Sequence, residues 1–187
     1  MFGVALLVGI TWVVGASAYS KYSTDTASEA LRATSSMKVL TDSISVSEQL
    51  KLAQIKDVRQ SGFATIIDLR PDGEAVSQPH AATVQSAAKA NKLAFVYVPV
   101  PHGDIPDSAV EALAKAIDDS PKPILMYCRS GRRAARTWAL VEASRGDGMG
   151  APQILAAVKA SGQTADDLAG AIDARIAKRN PPPLRPM

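Results

Sequence analysis

The chain has 187 residues, 47% of them hydrophobic and 21% charged, which suits one folded domain with an appendage better than two full domains. Its 21 Lys and Arg against 18 Asp and Glu leave a net charge of +3, interleaved along most of the chain, so no nucleic-acid footprint stands out, and 12 Gly and 12 Pro exclude collagen and Pro/Gly-rich disorder. The single cysteine, Cys128, closes no internal disulfide and builds no cysteine zinc cluster; with two histidines far apart in sequence, neither a metal nor another cofactor is expected.

Residues 1–20 contain no Asp, Glu, Lys or Arg. At about 1.5 Å per helical residue they reach about 30 Å, the thickness of a hydrocarbon core. Tyr19, Lys21 and Tyr22 suit an interfacial collar, so the run is read as a single-pass anchor through which the protein meets a membrane. A secretory signal is the competing reading, because Ala16-Ser17-Ala18 is an A-x-A pattern, but a basic start is missing and the apolar run is long for a signal. Lys21, Arg32 and Lys38 favour a cytoplasmic catalytic part, with the periplasmic or extracellular side as the alternative. Residues 21–38 hold a Ser/Thr-rich stretch, seven of the sixteen positions from Ser23 to Lys38, and read as a polar stalk. At the other end, residues 180–187 (NPPPLRPM) read as a Pro-rich extended tail whose Pro-x-x-Pro spacing offers a docking segment to a protein partner.

Between them, residues 39–179 read as the catalytic domain. Ile44-Ser45-Val46 is a short strand, Leu50, Leu52, Ile55 and Val58 follow a helical period, and Gly62 stands where a cap belongs. Phe63 to Leu69 is a strand stopped by Arg70-Pro71-Asp72-Gly73. His80 to Lys92 is helical, Ala94 to Pro99 is a strand, and Pro101 to Pro106 is a loop. Ser108 to Glu111 reads as a capping box opening a helix to Asp119. Ile124 to Tyr127 is a buried strand, followed by the Cys128–Arg133 loop and helices over 134–144, 152–160 and 165–177. Alternating strands and helices predict an α/β fold with a mostly parallel sheet flanked by helices, and function gathers beyond the carboxyl ends of such strands. Three loops sit there: 70–74, 101–106 and 128–133.

The last of these carries chemistry. A strand ends on Cys128, a glycine loop follows, and a helix begins. Loop N–H groups and the positive end of the helix form an anion site that also favours a thiolate. Cys128 is therefore the candidate nucleophile, with Arg129, Ser130, Gly131 and Arg132 as the anion-binding loop and Arg133 as a bidentate clamp. The bland alternative is a buried thiol at a strand end. Arg132 and Arg136 also suit solvent-facing helix positions.

The blocks Ile44-Ser45-Val46-Ser47-Glu48-Gln49-Leu50, Ile66-Ile67-Asp68-Leu69-Arg70-Pro71-Asp72-Gly73-Glu74, Tyr97-Val98-Pro99-Val100 and Cys128-Arg129-Ser130-Gly131 resemble, in order and spacing, the phosphatase-like domain of the β-lactamase-hydrolase-like proteins. The resemblance runs from about Thr41 to Leu168. It implies a fold similar to dual-specificity phosphatases, Cys128 as nucleophile and Arg133 as clamp, and an activity of one of two kinds, phosphatase-like hydrolysis or sulfur transfer.

Tyrosine-phosphatase loops place five residues between cysteine and arginine, whereas here four intervene before Arg133 and Ala134 occupies the phosphatase position. That spacing favours a sulfurtransferase that passes sulfane sulfur through a Cys128 persulfide. The alternative is a phosphomonoester hydrolase working through a phosphocysteine. It requires a general acid, for which Asp104 is the first choice and Asp107 the second, against turn and cap roles for both. Either way the substrate is a small anionic sulfur or phosphate compound. Arg70 and Asp72 are candidates for orienting the loop or the substrate, His80 and His102 read as surface or loop residues, and a non-catalytic anion or redox-sensing module is the third reading.

Overall fold

The computed structural model describes residues 37–179. The expected anchor, the stalk except for its last two residues, and the Pro-rich tail lie outside the described residues. Among the described residues no helix is long and apolar enough to cross a membrane.

Five short strands form one sheet: β1 (Lys38–Thr41), β2 (Ile44–Ser47), β3 (Thr65–Asp68), β4 (Ala94–Tyr97) and β5 (Ile124–Tyr127), in the order β1-β2-β5-β3-β4. All neighbours run parallel except β1, which turns back on β2. Six helices cover the sheet: α1 (Ile55–Gln60), α2 (Ala81–Ala90), α3 (Asp107–Asp119), α4 (Arg132–Ser144), α5 (Ala151–Ala160) and α6 (Ala169–Arg179). Short 3-10 turns precede α1 (Leu52–Gln54) and α6 (Asp166–Leu168).

Burial follows from placement. β3 and β5 are buried at every position, as strands covered on both faces must be. Alternate residues feed two cores. Ile66, Leu125 and Tyr127 join Ile55 and Val58 of α1 and Val84 and Ala88 of α2 on one face. Ile67, Met126 and Val46 meet Leu113 of α3, Trp138 of α4, Ile154 of α5 and Ile172 of α6 on the other. Helix α4 packs against α3, α5 and α6, which makes the helix leaving the cysteine loop the most widely packed helix among the described residues.

Several boundaries depart from the sequence expectation, three of them with a local cause. β1 begins at Lys38, in the last residue of the stretch read as stalk; only Leu40 of its four residues is buried, so it carries no periodic signal. Helix α3 starts one residue before Ser108, with extended Pro106 as its cap and no side-chain cap bond, so the expected capping box does not form. Asp107 occupies the first helical position instead and pairs with Arg175, where a carboxylate also suits the positive end of the helix. Helix α4 starts at Arg132, two residues earlier than expected, because Gly131 at φ 84° already provides the left-handed entry.

Trp138 is the largest fully buried side chain among the described residues. Trp138→Ala is expected to lower the unfolding free energy by about 3–5 kcal/mol in urea titration. A loss below about 1 kcal/mol would contradict the central place given to α4.

Candidate active site

The register brings Ser47, Tyr127, Asp68 and Tyr97 into one row at the carboxyl ends of the four parallel strands. The three loops singled out in the sequence all leave from this edge. Cys128 follows directly on β5 and is 1% exposed.

Above it opens a cavity of about 480 Å³. The cysteine loop contributes Cys128, Arg129, Ser130, Arg132 and Arg133, and Arg136 adds the next turn of α4. The opposite wall is the 101–105 loop, through Pro101, His102, Gly103 and Ile105. No carboxylate is among the lining residues. The result is a concave site lined by four arginines and one cysteine.

The loop keeps its shape through its carbonyls. Arg129 O accepts from the Gln49 N–H at 3.3 Å, and Ser130 O accepts from Gln163 Nε2 at 3.1 Å. The N–H groups of residues 129–133, by contrast, donate to no acceptor among the described residues. Free amides between a sulfur and a helix start are the inventory of an anion site. Gly131 is required twice over: its φ of 84° is left-handed, and a Cβ there would meet Gln163 Nε2 at 3.2 Å and Ser47 O at 3.4 Å.

Arg133 is held from behind. Its Nη1 donates to Val100 O at 2.7 Å and Leu69 O at 3.4 Å, and its Nη2 pairs with Glu74 Oε1 at 2.8 Å. The other Glu74 oxygen takes Arg70 Nε at 3.1 Å, and Arg70 Nη1 donates to Gln49 Oε1 at 2.8 Å. Since Gln49 also holds Arg129 O, the chain of contacts starts and ends on the cysteine loop. Burial alone would raise the Glu74 pKa, but the hydrogen bonds from Arg70 and Arg133 hold it below the usual carboxylate range.

Arg136 lines the cavity and makes two bonds to Asp167, at 2.5 and 2.7 Å, which hold that carboxyl down at about 2. Arg129 and Arg132 are exposed and form no ion pair among the described residues.

Of the other residues singled out in the sequence, Asp104 is exposed on the wall loop and is not among the lining residues. Asp107, at the start of α3, is engaged by Arg175 of α6. Arg70 is buried in the network behind Arg133 rather than in the cavity. Asp72 organises its own turn: Oδ1 accepts from the Ala81 N–H opening α2, its N–H donates to the Tyr97 hydroxyl, and exposed His80 lies 3.7 Å away. His102 does line the cavity. Sequence reasoning missed Glu74, Gln49, Gln163 and Asp167; only Glu74 and Gln49 stood inside blocks that carry the family resemblance.

Beside the site, Asp68 is buried at the end of β3, its Oδ1 accepting from the Arg70 N–H at 2.8 Å. Burial pushes its pKa up to about 6, against the pull of Tyr127 and of that N–H, while Asp72 adds to the rise. Tyr127 lies next to Asp68 and Gln49, but its hydroxyl makes no hydrogen bond of ordinary geometry; burial and then Asp68 raise its pKa.

A central parallel strand ending on cysteine, a loop of free amides and an arginine at the opening of the next helix define a phosphatase-like α/β domain. Residues 36–145 match the family described as Beta-lactamase hydrolase-like protein, phosphatase-like domain, and the chain belongs to that family. It is 33% identical over 103 residues to a Beta-lactamase hydrolase-like protein of Xylella fastidiosa, covering 55% of this chain and 24% of the relative. An Agrobacterium fabrum protein of the same description is 28% identical over 107 residues, 57% of this chain and 25% of the relative. The chain thus spans about a quarter of the length of these curated relatives.

Among solved structures, a phosphatase-like protein of Neisseria meningitidis is similar at 29% identity and TM-score 0.66, covering 75% of this chain and 98% of that one. Tk-PTP in its active form (15% identity, TM-score 0.57, 77% and 97% covered) and the core catalytic domain of a PP-IP phosphatase from S. cerevisiae (16%, 0.54, 78% and 92%) share the fold.

Two outcomes follow. The folded state keeps the Asp68 proton up to about pH 6, whereas the unfolded chain releases it near 3.8. Stability from this group is therefore complete below the lower value and lost as pH rises through the upper one, a swing of about 3 kcal/mol. Asp68→Asn, which keeps the oxygen acceptor, is expected to gain on the wild type by up to that amount between pH 4 and pH 7 in urea titrations; a constant difference across the range would refute the burial effect. Glu74→Gln is expected to weaken binding of inorganic phosphate by about tenfold and to lower the unfolding midpoint, because Arg70 and Arg133 lose their shared counter-charge. Unchanged phosphate affinity would remove Glu74 from the site.

Proposed function

We propose that the domain is a cysteine-dependent hydrolase of phosphomonoesters. The observation that carries this reading is the placement of Cys128 at the floor of a cavity whose loop amides have no protein acceptor, beside an arginine fixed by Glu74. Family membership and the fold support it.

In this mechanism the Cys128 thiolate attacks phosphorus and the bond from phosphorus to the ester oxygen breaks, leaving a phosphocysteine. Loop N–H groups and Arg133 hold the equatorial oxygens as charge spreads over them. The leaving oxygen takes a proton from Asp104, the carboxylic acid carried by the loop of the opposite wall. Asp104 then accepts a proton from the water that attacks phosphorus, the sulfur–phosphorus bond breaks, and phosphate leaves with the thiolate restored.

Sulfur transfer is the second reading, favoured by the four residues between Cys128 and Arg133 and by the lack of a carboxylate among the lining residues. Here the thiolate attacks the outer sulfur of thiosulfate, sulfite leaves with the electron pair of the broken sulfur–sulfur bond, and the Cys128 persulfide hands that sulfur to cyanide as thiocyanate. No proton donor is needed.

Paired assays on the full chain separate the two: release of phosphate from an aryl phosphate, and thiocyanate formation from thiosulfate and cyanide. The expected result is phosphate release that disappears in Cys128→Ser and falls by about a hundredfold in Asp104→Asn. Thiocyanate formation alone, lost in Cys128→Ser and untouched in Asp104→Asn, would replace hydrolysis with sulfur transfer. Activity that survives Cys128→Ser would overturn both.

A further inference from the structure

The four cavity arginines fall into two pairs. Arg133 and Arg136 are mostly buried and already matched, by Glu74 and by Asp167. Arg129 and Arg132 are exposed, line the same cavity and form no ion pair among the described residues, with Asp167 reaching Arg132 only through the longer-range field. The reacting group is served by the loop amides and Arg133, so two guanidinium groups outside any ion pair remain at the rim. Unpaired arginines around a concave site bind a fixed anion through charge-assisted, forked hydrogen bonds. The rest of the lining points away from an aromatic ester: Pro101, Gly103 and Ile105 are the uncharged wall residues, and no Phe, Tyr or Trp lines the cavity to flank a ring. His102, exposed on that wall, adds a further donor at the mouth.

We propose that the substrate carries a second phosphate group, held at the rim by Arg129 and Arg132 while the first lies over Cys128. The ligand class is a small diphosphorylated metabolite rather than a phosphotyrosine peptide. This deepens the hydrolase reading of the same site and rests on it.

The test uses the full chain carrying Cys128→Ser, so that binding is read without turnover. Calorimetry compares inorganic phosphate with three probes of increasing span: pyrophosphate, 2,3-bisphosphoglycerate and a hexose 1,6-bisphosphate. At least one of the three is expected to bind about tenfold more tightly than phosphate. Adding Arg129→Gln and Arg132→Gln is expected to remove most of that advantage, with a far smaller loss for phosphate itself. Adding Lys56→Gln and Lys89→Gln, two exposed charges elsewhere, is expected to preserve the advantage, which separates a site from a general field. Equal affinity for phosphate and all three probes, or equal loss in the rim and the remote variants, overturns the proposal and leaves hydrolysis standing. Failure to bind any phosphate compound, together with no phosphate release by the wild type, overturns the hydrolase reading and this proposal with it.

Discussion

One carboxylate shared by two buried guanidinium groups holds the site together. Arg133 and Arg70 have side chains 11% and 7% exposed, and Glu74 between them is 22% exposed. Two cations removed that far from water need a counter-charge with full hydrogen bonding, or the desolvation cost falls on the fold. Glu74 gives one oxygen to each arginine, and the carbonyls of Val100 and Leu69 take the remaining Arg133 donors on that side. The Arg133 guanidinium is thereby held in place by the protein alone, which is what the proposed role of an anion clamp requires.

The cysteine loop depends on this arrangement from its other end. A loop that presents amides to a ligand has to dispose of its carbonyls elsewhere, and here Gln49 and Gln163 take two of them. Gln49 answers to Arg70, and Arg70 answers to Glu74, so disturbing any member loosens both edges of the cradle. Asp68 sits one residue outside the circuit, with its carboxylate on the Arg70 N–H. Its raised pKa shows the same economy in reverse, a charge that burial tolerates poorly because no guanidinium is dedicated to it.

The parts of the molecule that local chemistry dictates were legible in the sequence. Ile124 to Tyr127 announces a central strand because a strand buried on both faces needs an unbroken apolar run, and a strand, cysteine, glycine and helix in that order force the loop. β1 was not legible, since four residues with only Leu40 buried carry no pattern and the strand exists by pairing with β2. The capping-box motif at Ser108 misled because Pro106 already sets the extended entry to the helix. Gln163 and Asp167 reach the site through tertiary contacts with residues far away in the chain, a relation that no local period or motif records, and Glu74, though inside a family block, meets Arg133 only through the fold. Arg136 shows the limit most plainly: on one helix the spacing from Arg132 is the same whether the side chain faces water or a cavity, and only Asp167 decides.

The partners of Ser130 and Arg136 lie beyond Arg145, where the stretch matched by the family ends. Sequence kinship therefore draws its border inside the cooperative unit, and the segment after that border works as scaffolding for the loop it never touches in sequence. In this chain, how firmly the cradle is set is therefore tied to residues that the family match does not reach.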